Sequence, residues 1–325
     1  MYVYNKDQLI LKKELKMKKI ILGTSIAIIL VGVGYAAVDH KYNEVIKEEL
    51  DKFSITLEKQ NIEFSYGEIE AHFLFNDILI NDVNVIVDKG TEQELFFFVK
   101  KAHTNEDTFT PDELGMFPKM HISLEDGYFQ GGEAFPIQEK THFEYSQSYS
   151  YDDSSKNIST SFLLDIKGLA KLNTSTSFEN AEDLWIYLSN INKETGEPEY
   201  KVDSKESFQK AFGDFSVSNI NIELTDNGFL DSLASYGVSL GHAESVQQIR
   251  EQGALQMGMV ELNFPRFNGS LSKMIKNGGT LTLSLEPESS VKFFDLLSEV
   301  EVQKTEMEAA VKALDTLNFQ LQHSK

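Results

Sequence analysis

The sequence predicts an α+β fold in which an antiparallel sheet comes first and helices are concentrated in the C-terminal half, preceded by one transmembrane helix. Three observations carry this expectation. A single uncharged apolar run, Ile20 to Val38, stands near the N-terminus. Between Ile62 and Phe178 apolar residues alternate with polar ones in a series of short runs. Beyond residue 180, apolar residues recur mainly at helical spacing. A period of two places side chains on one face of a strand, and a period near 3.6 places them on one face of a helix.

The apolar run has the length of a membrane span. Its 19 residues, at about 1.5 Å each, reach about 28 Å, close to one hydrocarbon core. Lys12, Lys13, Lys16, Lys18 and Lys19 precede it, and Asp39, Glu44, Glu48 and Glu49 follow. The bias of cations toward the cytoplasmic side places the N-terminus in the cytoplasm and the remainder outside it. A cleaved signal peptide is the rival reading, with Gly34-Tyr35-Ala36 as its cleavage site. The length of the run and the helical pattern beyond it favour a retained anchor. A start at Met17 is the alternative to a start at Met1.

Charge limits the partners. The chain carries a formal net charge of −21, while its first 19 residues hold six Lys against Asp7 and Glu14, so everything beyond residue 19 carries −25. Such a surface repels phosphate backbones, which excludes nucleic acid as a partner, and it disfavours broad adhesion to anionic headgroups. Lipid contact therefore has to be apolar and local. The chain has no cysteine, which removes disulfides and thiolate chemistry.

After residues 1–19 (basic, cytoplasmic) and 20–38 (anchor), residues 39–60 read as a stalk helix. Tyr42, Ile46, Leu50, Phe53 and Leu57 form its apolar face. Residues 61–180 read as a β-meander. Ile62, Phe64 and Tyr66 alternate, then Ile69, Ala71 and Phe73, then Ile78 and Ile80. The phase changes at Asn81-Asp82 before Val83, Val85 and Val87, which predicts a bulge or a tight turn. Leu95 to Val99, then Met120, Ile122 and Leu124, continue the series. Phe143, Tyr145, Tyr149 and Tyr151 face one way on a strand, and Ile158, Phe162, Leu164 and Ile166 do so on the next, with a loop from Asp152 to Asn157 between them.

Residues 181–325 read as an α+β region packing on that sheet. Short helices are expected over 181–188 and 207–212, and further helices over 229–236 and 243–255. Strands are expected at Phe215 to Leu224, with a phase slip, and at Leu281 to Leu285. Val300, Met307, Leu314 and Leu321 lie seven apart, which predicts a closing helix and a candidate contact element for an envelope partner.

No catalytic constellation stands out. Gly237-Val238-Ser239-Leu240-Gly241 has the form of a nucleophile elbow, but the preceding residues read as a helix rather than a strand. Gly237 reads better as the end of that helix. The seven histidines are scattered and none is paired at metal-ligand spacing. The expectation is a protein without enzymatic activity, cofactor or metal.

The run from Phe64-Ser65-Tyr66-Gly67-Glu68-Ile69 to Ile80-Asn81-Asp82-Val83-Asn84-Val85, behind a basic start, one anchor and a stalk helix, resembles the opening of AsmA-like inner-membrane proteins, and the YdgA-like periplasmic proteins have a similar layout. The resemblance covers about residues 17–90. It implies a curved sheet on the periplasmic side of the bacterial inner membrane and a role in envelope maintenance or lipid handling. It brings no catalytic residues. A curved meander with one apolar face can cradle acyl chains. The candidate lining is Phe64, Ile69, Phe73, Ile80, Val85, Phe143, Tyr145, Phe162 and Leu164. Against this stands the reading that these residues form a core under helices of the second half. A non-enzymatic anchored scaffold that binds a partner through the C-terminal helix is the alternative function.

Overall fold

The computed structural model describes residues 42–72, 77–105, 118–132, 137–189, 213–292, 295–296 and 306–325. The apolar run at 20–38, Phe73, and the helix expected at 207–212 lie outside these. No helix among the described residues is long and apolar enough to cross a membrane.

The described residues form one antiparallel sheet with helices at both ends, as the alternation predicts. Helix α1 (Tyr42–Glu58) leads into β1 (Ile62–Ser65), β2 (Ile69–His72), β3 (Asp77–Val87), β4 (Leu95–Asn105), β5 (Lys119–Gly131), β6 (Thr141–Asp152), β7 (Asn157–Ile166) and β8 (Ala170–Glu179). Then come α2 (Glu182–Ser189), β9 (Ser216–Asp226), α3 (Phe229–Ser239), α4 (Val246–Glu261) and a 3-10 turn at Pro265–Phe267. Helix α5 (Ser270–Asn277), β10 (Gly279–Leu285), β11 (Val291–Lys292), α6 (Glu306–Thr316) and β12 (Phe319–Ser324) complete the order. From β3 to β10 each strand neighbours the next in this order, with β11 pairing the start of β9. Strands β1 and β2 share one side of β3, and β12 lies beyond β10.

Helix α1 is not a free-standing stalk. Ile46 and Leu50 are fully buried and share one core with Phe64, Ile80, Val85 and Ile122 of the sheet. Its spacing of 4, 4, 3 and 4 residues gives α1 the single apolar face it lays on the first strands. Tyr66 completes the contact by donating a hydrogen bond to Asp51 Oδ1 at 2.7 Å. Burial, and secondarily the Asp51 carboxylate, holds the Tyr66 hydroxyl above its ordinary pKa.

The phase change read at Asn81-Asp82 extends across three strands. Asp82 and Asp126 both adopt left-handed backbone, with φ of 52° each. In β3 burial passes from Ile78 and Ile80 to Val83, Val85 and Val87; in β4 Val99 is followed by Ala102, and in β5 Leu124 by Gly127. The three sites lie side by side, since Asn81 and Val83 face Lys101 and Val99, and Phe98 and Lys101 face Tyr128 and Glu125. Lys100 of the middle strand reaches Asp126 at 3.7 Å. An added residue in one strand turns its side chains over unless its neighbours make the same adjustment. Gly127 belongs to this row because a Cβ there would lie 2.6 Å from the Phe143 ring.

The β6–β7 hairpin closes where the polar loop predicts. Asp152 Oδ1 accepts from Ser154 N at 2.9 Å and Ser154 Oγ at 2.7 Å, and Oδ2 accepts from Ser155 Oγ at 2.8 Å. The Ser154 hydroxyl, then that of Ser155, pulls the Asp152 carboxyl down to about 2. A depressed carboxylate stabilises the fold above its unfolded value near 3.8, and that contribution is lost as pH falls through about 2. Carbon-13 titration should place the Asp152 midpoint well below the ordinary aspartate value near 3.8, with Ser154→Ala raising it. An ordinary midpoint in the wild type would contradict this hairpin geometry.

The end of the chain corrects two expectations. Helix α6 stops at Thr316, and Leu321 lies in β12, paired with Leu283 of β10. The seven-residue spacing from Met307 to Leu321 therefore joins a helix to a strand. Asn318, at φ 47°, makes the break, and Phe319 and Leu321 alternate with exposed Gln320 and Gln322. The C-terminal partner helix is thus shorter than predicted, and removing residues 300–325 would also strip β12 from the sheet. Likewise Gly237 lies inside α3, which runs to Ser239, with Leu240 as its cap and Gly241 at φ 75°.

Both outer strands have backbone carbonyls engaged by flanking side chains. At one end Ser54 of α1 donates to Phe64 O at 3.1 Å. At the other Arg266 Nη1 donates to Phe319 O at 3.1 Å, and Ser270 Oγ to Leu321 O at 3.0 Å.

Candidate functional site

Directly opposed residues in an antiparallel sheet share a face. The pairings therefore trace two rows across β6 to β10. One runs Tyr145, Leu164, Leu172, Leu224, Leu281. The next runs Gln147, Phe162, Thr174, Ile222, Leu283. These rows continue the face on which α1 lies, because Tyr145 and Leu164 pack against the α1 core.

The structure divides the predicted lining. Phe64, Ile80, Val85 and Phe143 are buried in the core shared with α1, and Ile69 is half-buried against it. Phe73 lies outside the described residues. The space left among Leu50, Phe64, Ile80, Val85 and Phe143 is an apolar cavity of about 20 Å³. That is room for about one water and none for an acyl chain. The covering element is the N-terminal helix, not the second-half helices that the competing reading expected.

Tyr145, Phe162 and Leu164 have a different environment. All three are half-buried, as are Leu172, Ile222, Leu281 and Leu283, and Leu224 is 37 % exposed. Phe162 meets Tyr145 edge-on at 5.3 Å between ring centres. The Tyr145 hydroxyl donates to Gln147 Oε1 at 2.6 Å. Burial of the ring pushes its pKa up to about 12, so the group stays neutral at physiological pH. The open rows thus present branched aliphatic side chains, one aromatic pair and no ionised group. At one margin α2 covers the face: Trp185 stacks on Tyr151 at 4.6 Å and joins Ile158 and Phe215 in a second core. At the far margin Phe319 and Leu321 of β12 are buried, with Phe267 on Phe319 at 5.3 Å.

Across β6 to β8 the opposite face is polar, whereas across β4 and β5 it carries Phe96, Phe98 and Tyr128 in ring contact. Ser148 and Ser161 hydrogen-bond at 2.7 Å, and with Ser150, Ser159, Ser175 and Ser177 they line a trough of about 490 Å³. Over β6 to β8 the sheet therefore separates a hydroxyl-rich face from an apolar one.

The sequence reading found the first three residues of the open rows and missed Leu172, Ile222, Leu224, Leu281 and Leu283. Ile220, Ile222 and Leu224 were legible as a strand; their place on this face depends on the register with β8, which one strand's alternation cannot supply.

Ser239 sits in the last turn of α3, where its hydroxyl donates to Tyr236 O at 2.7 Å. A strand-to-helix elbow is not its setting. Among the described residues no three His, Asp or Glu side chains gather as metal ligands do.

A family described only as an uncharacterized protein matches residues 163–324, from β7 to the last strand. The match takes in most of the open rows and leaves out α1 and the first strands. No curated protein matches the chain.

Proposed function

We propose that this chain is a single-pass protein of the bacterial inner membrane, with its N-terminus in the cytoplasm and its sheet in the extracytoplasmic space, and that it serves envelope maintenance by holding a lipid acyl chain on the open apolar rows. The observation that carries this reading is the only partly covered stretch from Tyr145 and Phe162 to Leu224 and Leu283, bounded by α1 and α2. Removing such surface from water is worth about 0.8 kcal/mol for each methylene of a chain laid on it. The absence of ionised groups along the rows suits hydrocarbon. The AsmA-like and YdgA-like opening of the sequence agrees with this place and role, and the bulge between β5 and β6 at Leu124 to Gly127, next to the parity changes of β3 and β4, supports a bent sheet, since a bulge bends the strand that carries it.

The anchored scaffold is the alternative. Its contact element, the C-terminal helix, ends in a strand that the sheet uses, so it has less to offer a partner than the seven-residue spacing implied.

A photo-reactive phenylalanine analogue at Phe162 or Leu224, in full-length protein extracted in mild detergent, tests the lipid reading. Native mass spectrometry should show a co-purifying lipid, and illumination should attach it at both positions but not at Phe64, which α1 covers. Protein that emerges lipid-free and gives no adduct at Phe162 or Leu224 would remove the proposal.

A further inference from the structure

Helices α4 and α5 form a hairpin through the Pro265–Phe267 turn, with Gly253 against Ile275. Ala254 of α4 and Met274 of α5 are buried. Other apolar residues of α4 point to solvent. Leu255 is 66 %, Met259 57 % and, just past the helix, Leu262 81 % exposed, with Val260 beside them. Leu262 and Leu255 are the two most exposed large apolar side chains among the described residues. Their separations of four and three residues set them along one ridge.

The charge around this ridge departs from the rest of the body. From Gln252 to Asn277 the sole acid is Glu261, which is buried and accepts hydrogen bonds from Leu271 N at 2.7 Å and Ser272 Oγ at 2.6 Å. Over the same stretch Arg266, Lys273 and Lys276 are exposed. Arg266 pairs with Asp315, whereas Lys273 reaches the carbonyl of Asn268. Beyond its first 19 residues the chain carries −25. Among the described residues this ridge holds the most exposed apolar side chains, ahead of Phe229 and Leu233 on α3 and Leu240 at its cap, and it runs from exposed Glu251, one turn before Leu255, toward the stretch that carries Arg266, Lys273 and Lys276.

We propose that the α4–α5 hairpin seats the folded body on the surface of an anionic lipid bilayer, with Leu255, Met259 and Leu262 at the boundary between headgroups and acyl chains. The inference rests on the reading that the chain is membrane-anchored. An exposed apolar ridge flanked by lysines binds such a surface by burial of the ridge to about 5–10 Å depth and by attraction of the lysines to headgroups. The acidic remainder is repelled from the same surface, which favours this hairpin, with its local excess of cations from Gln252 to Asn277, as the side that faces it. A tether raises the local concentration of the ridge at the membrane without adding a contact. A second copy is the poorer occupant, since isologous pairing would set lysine rim against lysine rim.

The chain has no cysteine, so single labels are clean. Full-length Leu262→Cys and Met259→Cys, each carrying an environment-sensitive fluorophore, would be placed one chain per nanodisc in phosphatidylcholine with phosphatidylglycerol, with and without brominated acyl chains. Trp185 emission checks the fold. Both probes should shift to the blue and be quenched by bromine, while a probe at Ser175→Cys on the polar face should not. Quenching should fall in discs of phosphatidylcholine alone and in the Lys273→Glu, Lys276→Glu background. Probes at 259 and 262 that are no more quenched than the one at 175 would overturn the proposal. So would a blue shift without bromine quenching, which indicates a protein contact. A chain that fails to enter discs defeats the anchored reading instead; the same labelled chain is then added to preformed vesicles of the same lipids, where the same quenching decides the docking.

Discussion

Replacing Leu50 by alanine will lower the free energy of unfolding by about 4 kcal/mol, read as a fall in the urea midpoint with an unchanged slope. The residue is fully buried at the seam between α1 and the sheet. Strands beneath it are held by their ladders, so they cannot move up to fill the space, and the adjoining void among Phe64, Val85 and Phe143 is already unfilled. Ile55→Ala on the opposite side of α1, where the side chain is 57 % exposed, should change stability by less than about 0.5 kcal/mol. Equal effects at the two positions would mean that α1 does not dock as described.

Arg250→Ala will cost about 3–4 kcal/mol for a different reason. The guanidinium ties four elements together. Its Nε donates to Ile275 O of α5 at 2.8 Å, and Nη1 pairs with Asp231 of α3. Nη2 lies 3.8 Å from Asp226 Oδ2 at the end of β9, close enough for charge attraction though too far for a hydrogen bond. The Asp226 side chain is only 5 % exposed, and it also accepts from Leu230 N at 3.0 Å at the start of α3. Removing Arg250 leaves that carboxylate buried without its counter-charge. The paired change Asp226→Asn with Arg250→Met keeps the helix-capping acceptor and removes both charges. It should recover more than half of the loss in thermal or urea unfolding. No recovery would assign the loss to packing instead.

Much of the meander was legible because its strands alternate against one buried face. Even the left-handed residue at Asp82 showed as a change of parity in the apolar positions of β3. What the sequence did not reveal arises from contacts between distant segments. Nothing in the α1 pattern distinguishes a helix that stands clear from one that lies on a sheet, since both show one apolar stripe. The end of the chain misled because a spacing of seven is also two helical turns, so Leu321 fitted a heptad although Phe319-Gln320-Leu321-Gln322 alternates. Residues 256–276 offered no strong pattern, and there α5 and the α4 ridge went unread. The apolar residues of the ridge are exposed, which breaks the expected link between hydrophobicity and the core. The candidate face was half legible: Tyr145, Phe162 and Leu164 follow from their own strands, whereas Leu224 and Leu283 join them only through register.

The hydrogen bonds that Ser54, Arg266 and Ser270 make to the outermost strands give the sheet a defined length. Proteins confined to a membrane plane meet copies of themselves far more often than they would in bulk solution, and an unguarded terminal strand in that setting can template growth into a ribbon. With donors already placed on the carbonyls of Phe64, Phe319 and Leu321, an incoming strand would have to displace a side chain before it could add. Under the proposed membrane anchoring, crowding would bring these molecules side by side without fusing their sheets.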